Sequence, residues 1–446
     1  MGIQYINTGL NIDLGKSRIL FITWTVSIIL MTILSGEAFA DSVSSAGSTS
    51  GFSILSENLG GTDLLLGGSF WLDYRAYAES QRADNRFDIR RARLNVSGQL
   101  TRWFRYFLEY EFEGNEINHM KDAYGEFGTG SILAVRLGQF KEPFSLEWQT
   151  SDKAQWFAER SMGNSLTPGR DVGLMLKGSV AQDSFYYGIG LFNGDGLDDS
   201  SSGSQDSPEI ASRIALKPFG TTSSTLLKDF QIGVSGSYAK IDTSNIDLKV
   251  KSTGMAGLSR SLYVLSHDTK FGVFQDVDTR KRYGIEAAWI DGPYAITGEY
   301  TALKYSGLTT ATIQPKNADF SSWYISMAYC LTGENFSLAG GVANPINPKK
   351  IFDPDKGTYG AIVVAARVDH FNGDHEWITQ GENVSVRDAD ALSVAATWIL
   401  SPMLKVMIDY TYTDLSDPIR VRVNPNGSIE YINRENVFTL RFMMDL

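Results

Sequence analysis

From Leu64 to its last residue the chain alternates apolar and polar side chains with a period of two. Successive side chains of an extended chain point to opposite sides, so this period describes strands with one greasy face and one wet face. Leu64, Leu66, Gly68, Phe70, Leu72, Tyr74 and Ala76 share one face, with Ser69, Asp73 and Arg75 opposite. Ala92, Leu94, Val96 and Leu100 then oppose Arg91, Arg93, Asn95, Ser97 and Gln99. Next, Phe104, Tyr106, Leu108, Tyr110 and Phe112 face away from Arg105, Glu109, Glu111 and Glu113. Sixteen such runs fit between residues 63 and 446, the last from Val437 to Leu446. Runs of about ten residues suit tilted strands crossing a bilayer, and an even strand number is the rule for closed bacterial outer-membrane barrels.

A β-sandwich also alternates, but its apolar faces meet in a dry core, and sixteen strands would make an unusually large one. In a barrel this wide the lumen stays wet, so the polar face turns inward and the apolar face meets lipid. Closure pairs every backbone group, and lipid demands this because each unpaired group would cost several kcal/mol. Phe70, Tyr74, Tyr110, Tyr294, Tyr300, Trp398, Tyr410 and Tyr412 lie where interfacial aromatic girdles would use them.

The connections alternate in length. With the first strand running outward, the inner turns are Thr101–Arg102, Thr129–Gly130, Ala181–Asp183, Pro218–Lys228, Gly292 and Ser401, with Thr332–Gly357 a long exception. The outer connections, 142–169, 193–208, 241–279, 305–318, 371–388 and 415–434, are long and polar. The expected fold is all-β, a transmembrane antiparallel barrel of sixteen strands.

Ahead of this pattern, Ile19 to Leu34 is uncharged and mostly apolar, follows Lys16 and Arg18, and precedes Ala38-Phe39-Ala40. Those are the parts of a secretory signal peptide. The expected organisation is a signal peptide at 1–40, a Ser/Gly-rich flexible segment at 41–61 and the barrel at 62–446.

Composition removes other functions. The single cysteine, Cys330, excludes a disulfide framework, a cysteine metal site and CxxC redox chemistry. A net charge of −11 gives no reason to expect nucleic-acid binding. His370 and His375 beside Asp369, Asp374 and Glu376 read as a solvated outer loop rather than a metal site, and no cofactor is expected. No Ser-His-Asp set, Gly-rich phosphate loop or paired-carboxylate motif supports catalysis.

A pore selects by the fixed charges at its narrowest part. Strand parity turns Arg91, Arg93, Arg105, Arg136, Lys177, Arg213, Lys217 and Arg282 inward, opposed by Asp73, Glu109, Glu111, Glu113, Asp122, Glu126 and Glu286; Arg90 has the opposite parity. Arginine stays charged and grips oxyanions with parallel hydrogen bonds. The bland alternative is that each arginine pairs with a neighbouring acid, as Arg93 could with Glu109, cancelling much of the field.

The run Phe87-Asp88-Ile89-Arg90-Arg91-Ala92-Arg93-Leu94, then Trp103 to Glu113, then Val135-Arg136-Leu137-Gly138-Gln139-Phe140-Lys141, resembles the phosphate-selective porin O and P family. Leu146-Glu147, Ala158-Glu159-Arg160, Tyr283 to Trp289 and Leu331-Thr332-Gly333-Glu334 extend the resemblance over nearly the whole mature chain. It implies a homotrimer of sixteen-stranded barrels in the outer membrane of a Gram-negative bacterium, and a third outer loop, here 142–169, folded inward. It also implies passage of small anions such as phosphate. Carried over by position, Arg90 and Arg91 match paired arginines of the second strand, Arg105 a constriction lysine and Asp122 a constriction acid. Lys141, Trp148, Lys153 and Arg160 fall in the inward loop and its flank, with Trp148 where the family carries a lysine. The long loop 241–279 holds only Lys249, Lys251, Arg260 and Lys270 as basic residues before the Arg280-Lys281-Arg282 cluster. A general or sugar-type porin and a plugged barrel serving as scaffold or adhesin stay open beside the anion channel. An outer-membrane lipase ranks last.

Overall fold

The structure is a computed structural model describing residues 52–53, 63–77, 84–114, 119–128, 131–194, 196, 208–221, 226–241, 246–256, 261–266, 268–269, 272–377, 385–423 and 426–446. The expected signal peptide, nearly all of segment 41–61, and the Thr129–Gly130 turn lie outside the described residues.

Sixteen strands form the barrel wall. The first eight are β1 (Asp63–Tyr77), β2 (Arg86–Thr101), β3 (Phe104–Glu111), β4 (Met120–Phe127), β5 (Ala134–Lys141), β6 (Arg170–Val180), β7 (Phe185–Phe192) and β8 (Glu209–Leu216). Then follow β9 (Gln231–Lys240), β10 (Thr279–Asp291), β11 (Tyr294–Thr310), β12 (Lys316–Cys330), β13 (Ala361–Asn372), β14 (Asp388–Ser401), β15 (Leu404–Val423) and β16 (Ile429–Asp445). Each pairs antiparallel with its sequence neighbour, and β1 closes the ring on β16 through Ser69↔Asp445 to Tyr77↔Val437. Closure leaves no open edge, so each wall strand has a neighbour on both sides.

Exposure follows the alternation. On β10 Tyr283 and Ile285 are more than half exposed while Arg282 and Glu286 are buried, and on β16 Phe438, Leu440 and Phe442 point outward while Arg441 and Thr439 point inward. A face so apolar and so exposed suits hydrocarbon, where burial of greasy side chains costs nothing.

The wall departs from the expected pattern in three places. Residues 415–434, read as a loop, mostly extend β15 and β16 as a hairpin past the barrel, with Ile419↔Ile432 and Val423↔Ile429 in register. Residues 331–360, the long connection at the short-turn end, carry the two-rung ladder Leu338–Ala339 with Val342–Ala343. The tip of that ladder meets the far wall: the Gly341 carbonyl accepts Arg213 Nη2 (2.6 Å), the Leu338 carbonyl accepts Lys217 Nζ (2.8 Å), and Gly340 N–H donates to Asp183 (2.8 Å). Gly340 and Gly341 both have positive φ, which the tight turn requires. The third departure is a β-bulge in β2.

Candidate functional site

The β2 bulge decides which arginines share a face. Trp71 of β1 pairs with Arg91 and Leu72 with Ile89, so Arg90 has no partner of its own. An extra residue in one strand shifts the phase of alternation. Phe87 and Ile89 therefore face outward before the bulge and Leu94 after it, whereas Arg90, Arg91 and Arg93 all reach inner-face partners. Strict parity had placed Arg90 on the outer face.

The partners come from the β5–β6 connection. Arg90 grips Glu159 with two hydrogen bonds of 2.8 Å, from Nε and Nη2. Arg75 of β1 and Arg441 of β16 reach the same carboxylate at 2.5 and 3.1 Å. Asp152 is held by Arg91 (2.6 Å), Arg93 (3.2 Å) and Arg160 (2.5 Å). Towards the short-turn end Glu126 meets Arg105 (2.9 Å), Arg136 (2.6 Å) and Lys177 (3.3 Å). Each of these acids thus serves three cations. Asp73 bonds Arg75 and Arg441, and Glu109 and Glu111 both pair with Arg93. Nine cations meet six carboxylates along this track, an excess of three positive charges.

Burial raises the affinity of the Asp152 carboxylate for a proton, but Arg160, Arg91, Lys141 and Arg93 outweigh it and hold the group well below the usual carboxylate range. Glu159 is likewise pushed up by burial and pulled further down by Arg90, Arg75 and Arg441. Both acids are ionised at neutral pH, so their positive surroundings are partly but not wholly neutralised.

The same connection is stapled to the opposite wall. Leu146 and Glu147 donate backbone N–H groups to Glu299 (3.0 and 2.6 Å), Met162 N–H to Asp369 (2.9 Å) and Ala158 N–H to Asp409 (3.2 Å). Arg367 bonds the Glu147 carboxylate and the Glu159 carbonyl. Acids on strands β11, β13 and β15 thereby satisfy loop donors that would otherwise be orphaned. From the β9–β10 connection, Thr253 Oγ1 donates to Asp369 and the Gly254 carbonyl accepts Arg75. From the 331–360 segment, Phe336 packs edge-on against Trp156, with ring centroids 5.4 Å apart.

The other residues expected at the site fall into three environments. Asp122 pairs with Arg170 at 2.9 Å. Trp148 donates its indole N–H to the Gly169 carbonyl, and Lys141, Arg160 and Arg170 all lie within 5.5 Å of its ring. Lys141 also donates to the Trp148 carbonyl (2.6 Å), and Lys153 sits 3.9 Å from Asp445. Arg105 is the most exposed of the nine track cations, its side chain 54% accessible. Sequence reasoning missed Arg441 and Arg367, although both carry inward parity in their strands, and it missed Asp152 and Glu159, whose loop has no periodicity to read. Among the described residues no cluster of His, Cys, Asp and Glu could hold a metal ion.

Comparisons with known proteins agree with this geometry. A sequence profile of the family described as phosphate-selective porin O and P matches residues 65–445. Porin O of Pseudomonas aeruginosa is 23% identical over 86% of this chain and 92% of that protein. The outer membrane channel DcaP of Acinetobacter baumannii superposes with a TM-score of 0.54 at 9% identity, covering 89% of this chain and all of DcaP. An anion-selective porin from Comamonas acidovorans gives 0.52 at 11% identity over 86% of this chain and all of its own. Such low identities speak for the barrel alone. The profile match, the closed sixteen-stranded wall and the lipid-suited outer face together make this chain an outer-membrane porin of a Gram-negative bacterium, a member of the phosphate-selective porin O and P family.

Proposed function

We propose that the barrel is a passive channel for small anions, phosphate among them, and that the β5–β6 connection forms its constriction. The observation that carries this reading is the track from Arg105 to Arg441, where nine cations, each in an ion pair, share six carboxylates. Low-dielectric walls strengthen the field of the excess charge on a passing ion. Family membership and the likeness to the anion-selective porin from Comamonas acidovorans support the same reading. Reversal potentials under a potassium chloride gradient in planar bilayers test it: chloride preference is expected, and potassium preference would refute it.

A lumen closed by its own segments is the second reading, favoured by the contacts of 331–360 with β8. Absence of any conductance step from the purified protein would establish it. We further infer a homotrimer and a signal peptide at 1–40, removed on export. Native mass and the N-terminal residue of the exported protein check these two points.

A further inference from the structure

Most outward side chains of the wall are apolar, yet the neighbouring strands β9, β10 and β11 each carry a lysine there. On β10 the outward face reads Lys281, Tyr283, Ile285, Ala287, Trp289 and Asp291. The ten residues separating Lys281 from Asp291 rise about 25 Å at about 3.3 Å each and a tilt of about 40°, the height of the apolar band of such barrels. The two charges therefore mark the edges of that band, and Lys281 stands at the outer edge, on the side of the long connections. Register puts Lys281 directly opposite Lys304 of β11 and beside Tyr238 of β9, while Lys240 of β9 faces Thr279, one rung further out. Directly opposed side chains lie about 5 Å apart and diagonal ones about 7–8 Å, so the three lysines form one patch, and like charges facing each other repel. Asp319 meets Lys304 at 3.2 Å. Lys281 has no carboxylate within ion-pair distance among the described residues; its ammonium lies 5.7 Å from the Tyr238 ring centroid. Asp278 lies beyond the neutral rung of Thr279 and Ser306, against Gly307. Further round the rim the outward charges change sign, with Asp388 and Asp390 on β14 and Asp414 on β15.

We propose that the outer ends of β9, β10 and β11 bind the phosphorylated headgroup of an outer-leaflet glycolipid on the lipid-facing side of the wall. A phosphate between Lys281 and Lys304 turns their mutual repulsion into attraction, and Lys240 adds charge from the rung above. Tyr238 and Tyr283, 45% and 54% exposed, stand just below, at the depth where interfacial aromatics meet the junction of headgroup and acyl chain. Tyr283 has the small residues Gly236 and Ala302 on either side, so its ring projects from the wall. Flexible chains fill the space around such a ring, whereas the rigid wall of a second copy presenting its acidic rim would strike it first. The lumen is not involved: Arg280 and Arg282 of the same strand turn the other way, onto Glu209. The proposal therefore holds whatever the channel conducts.

The test uses the purified protein in detergent, with diphosphoryl lipid A and its dephosphorylated form as probes and bound lipid counted by native mass spectrometry. The diphosphoryl form is expected to bind about tenfold more tightly. Lys281→Gln is expected to weaken it about fivefold, and Lys281→Gln with Lys304→Gln about thirtyfold, since each basic residue at a charged bilayer surface contributes about a factor of five. Lys281→Arg should retain the affinity, and Asp388→Asn with Asp390→Asn, elsewhere on the rim, should not reduce it. Heat-modifiable mobility on gels confirms that each variant is a folded barrel. Equal binding of the two lipids, or a preference that survives the double lysine variant, would overturn the proposal. Displacement of the lipid by an equal concentration of inorganic phosphate would also overturn it, as would loss of oligomer mass with lipid binding intact, which would assign the lysines to a second copy.

Discussion

Arg90 and Arg91 are consecutive in β2, yet both guanidiniums meet carboxylates of the β5–β6 connection, Arg90 on Glu159 at 2.8 Å and Arg91 on Asp152 at 2.6 Å. A regular strand would send one of them into lipid. The bulge opposite Trp71 and Leu72 supplies the missing half-turn of phase, so two adjacent charges and Arg93 beyond them enter one wet compartment.

If the bulge is what places Arg90, deleting that residue leaves a continuous alternation from Phe87 to Leu94. The shortened protein is expected to fold as a barrel, seen by its heat-modifiable mobility on gels, and to bind anions more weakly. Deleting Leu94, within the regular part of β2, should block assembly because it turns one side of the strand inside out. Equal assembly of both deletions would contradict this account.

Glu159 neutralises part of a three-arginine cluster and also ties the connection to the wall. Glu159→Gln is expected to strengthen chloride preference in reversal-potential measurements while lowering stability by about 3–5 kcal/mol, the cost of leaving partners of a buried pair uncompensated. Thermal unfolding in detergent reads the second effect. A variant that loses stability without gaining anion preference would place the cluster away from the ion path.

Trp148 stands among Lys141, Arg160 and Arg170, all over or near its ring. Trp148→Lys replaces an attraction of about 0.5–2 kcal/mol per cation by repulsion and adds a fourth charge. Tighter block of chloride current by phosphate is expected, along with a lower melting temperature. Unchanged block would show that this position does not face the permeating ion.

The acids Asp152 and Glu159 are held well below the usual carboxylate range, so their ion pairs contribute fully above the ordinary unfolded value near 4 and are lost only as pH falls through the lower folded values. The ion pairs of Asp152 and Glu159 are therefore expected to persist between neutral pH and about pH 5, which the carboxyl carbon chemical shifts of these two residues would follow. A protonation step of either carboxyl group inside that window would contradict this account.

The hairpin tip at Gly340–Gly341 spans from β12–β13 to Arg213 and Lys217 on the β8 side. Replacing residues 337–344 by a short turn is expected to raise single-channel conductance and leave the sign of ion preference alone. An unchanged conductance would mean that the segment lies beside the ion path.

Periodicity alone determined the architecture: lipid outside and water inside impose the same two-residue rhythm on every strand, so sixteen runs, their greasy face and most inward charges, Arg91, Arg93, Arg105 and Arg136 among them, were open to reading from sequence. What only the tertiary structure decided is the pairing of those charges. Arg90 reached the inner face of the wall through a bulge, a local phase error with no mark in composition. Asp152 and Glu159 lie in an aperiodic loop, whose meeting with Arg75 and Arg441, 84 and 282 residues away from Glu159, depends on ring closure between the first strand and the last. The physical reason is one of range: burial against solvent is a nearest-neighbour property that each strand carries in its own alternation, whereas a field inside a pore is summed over groups that only the closed chain brings together.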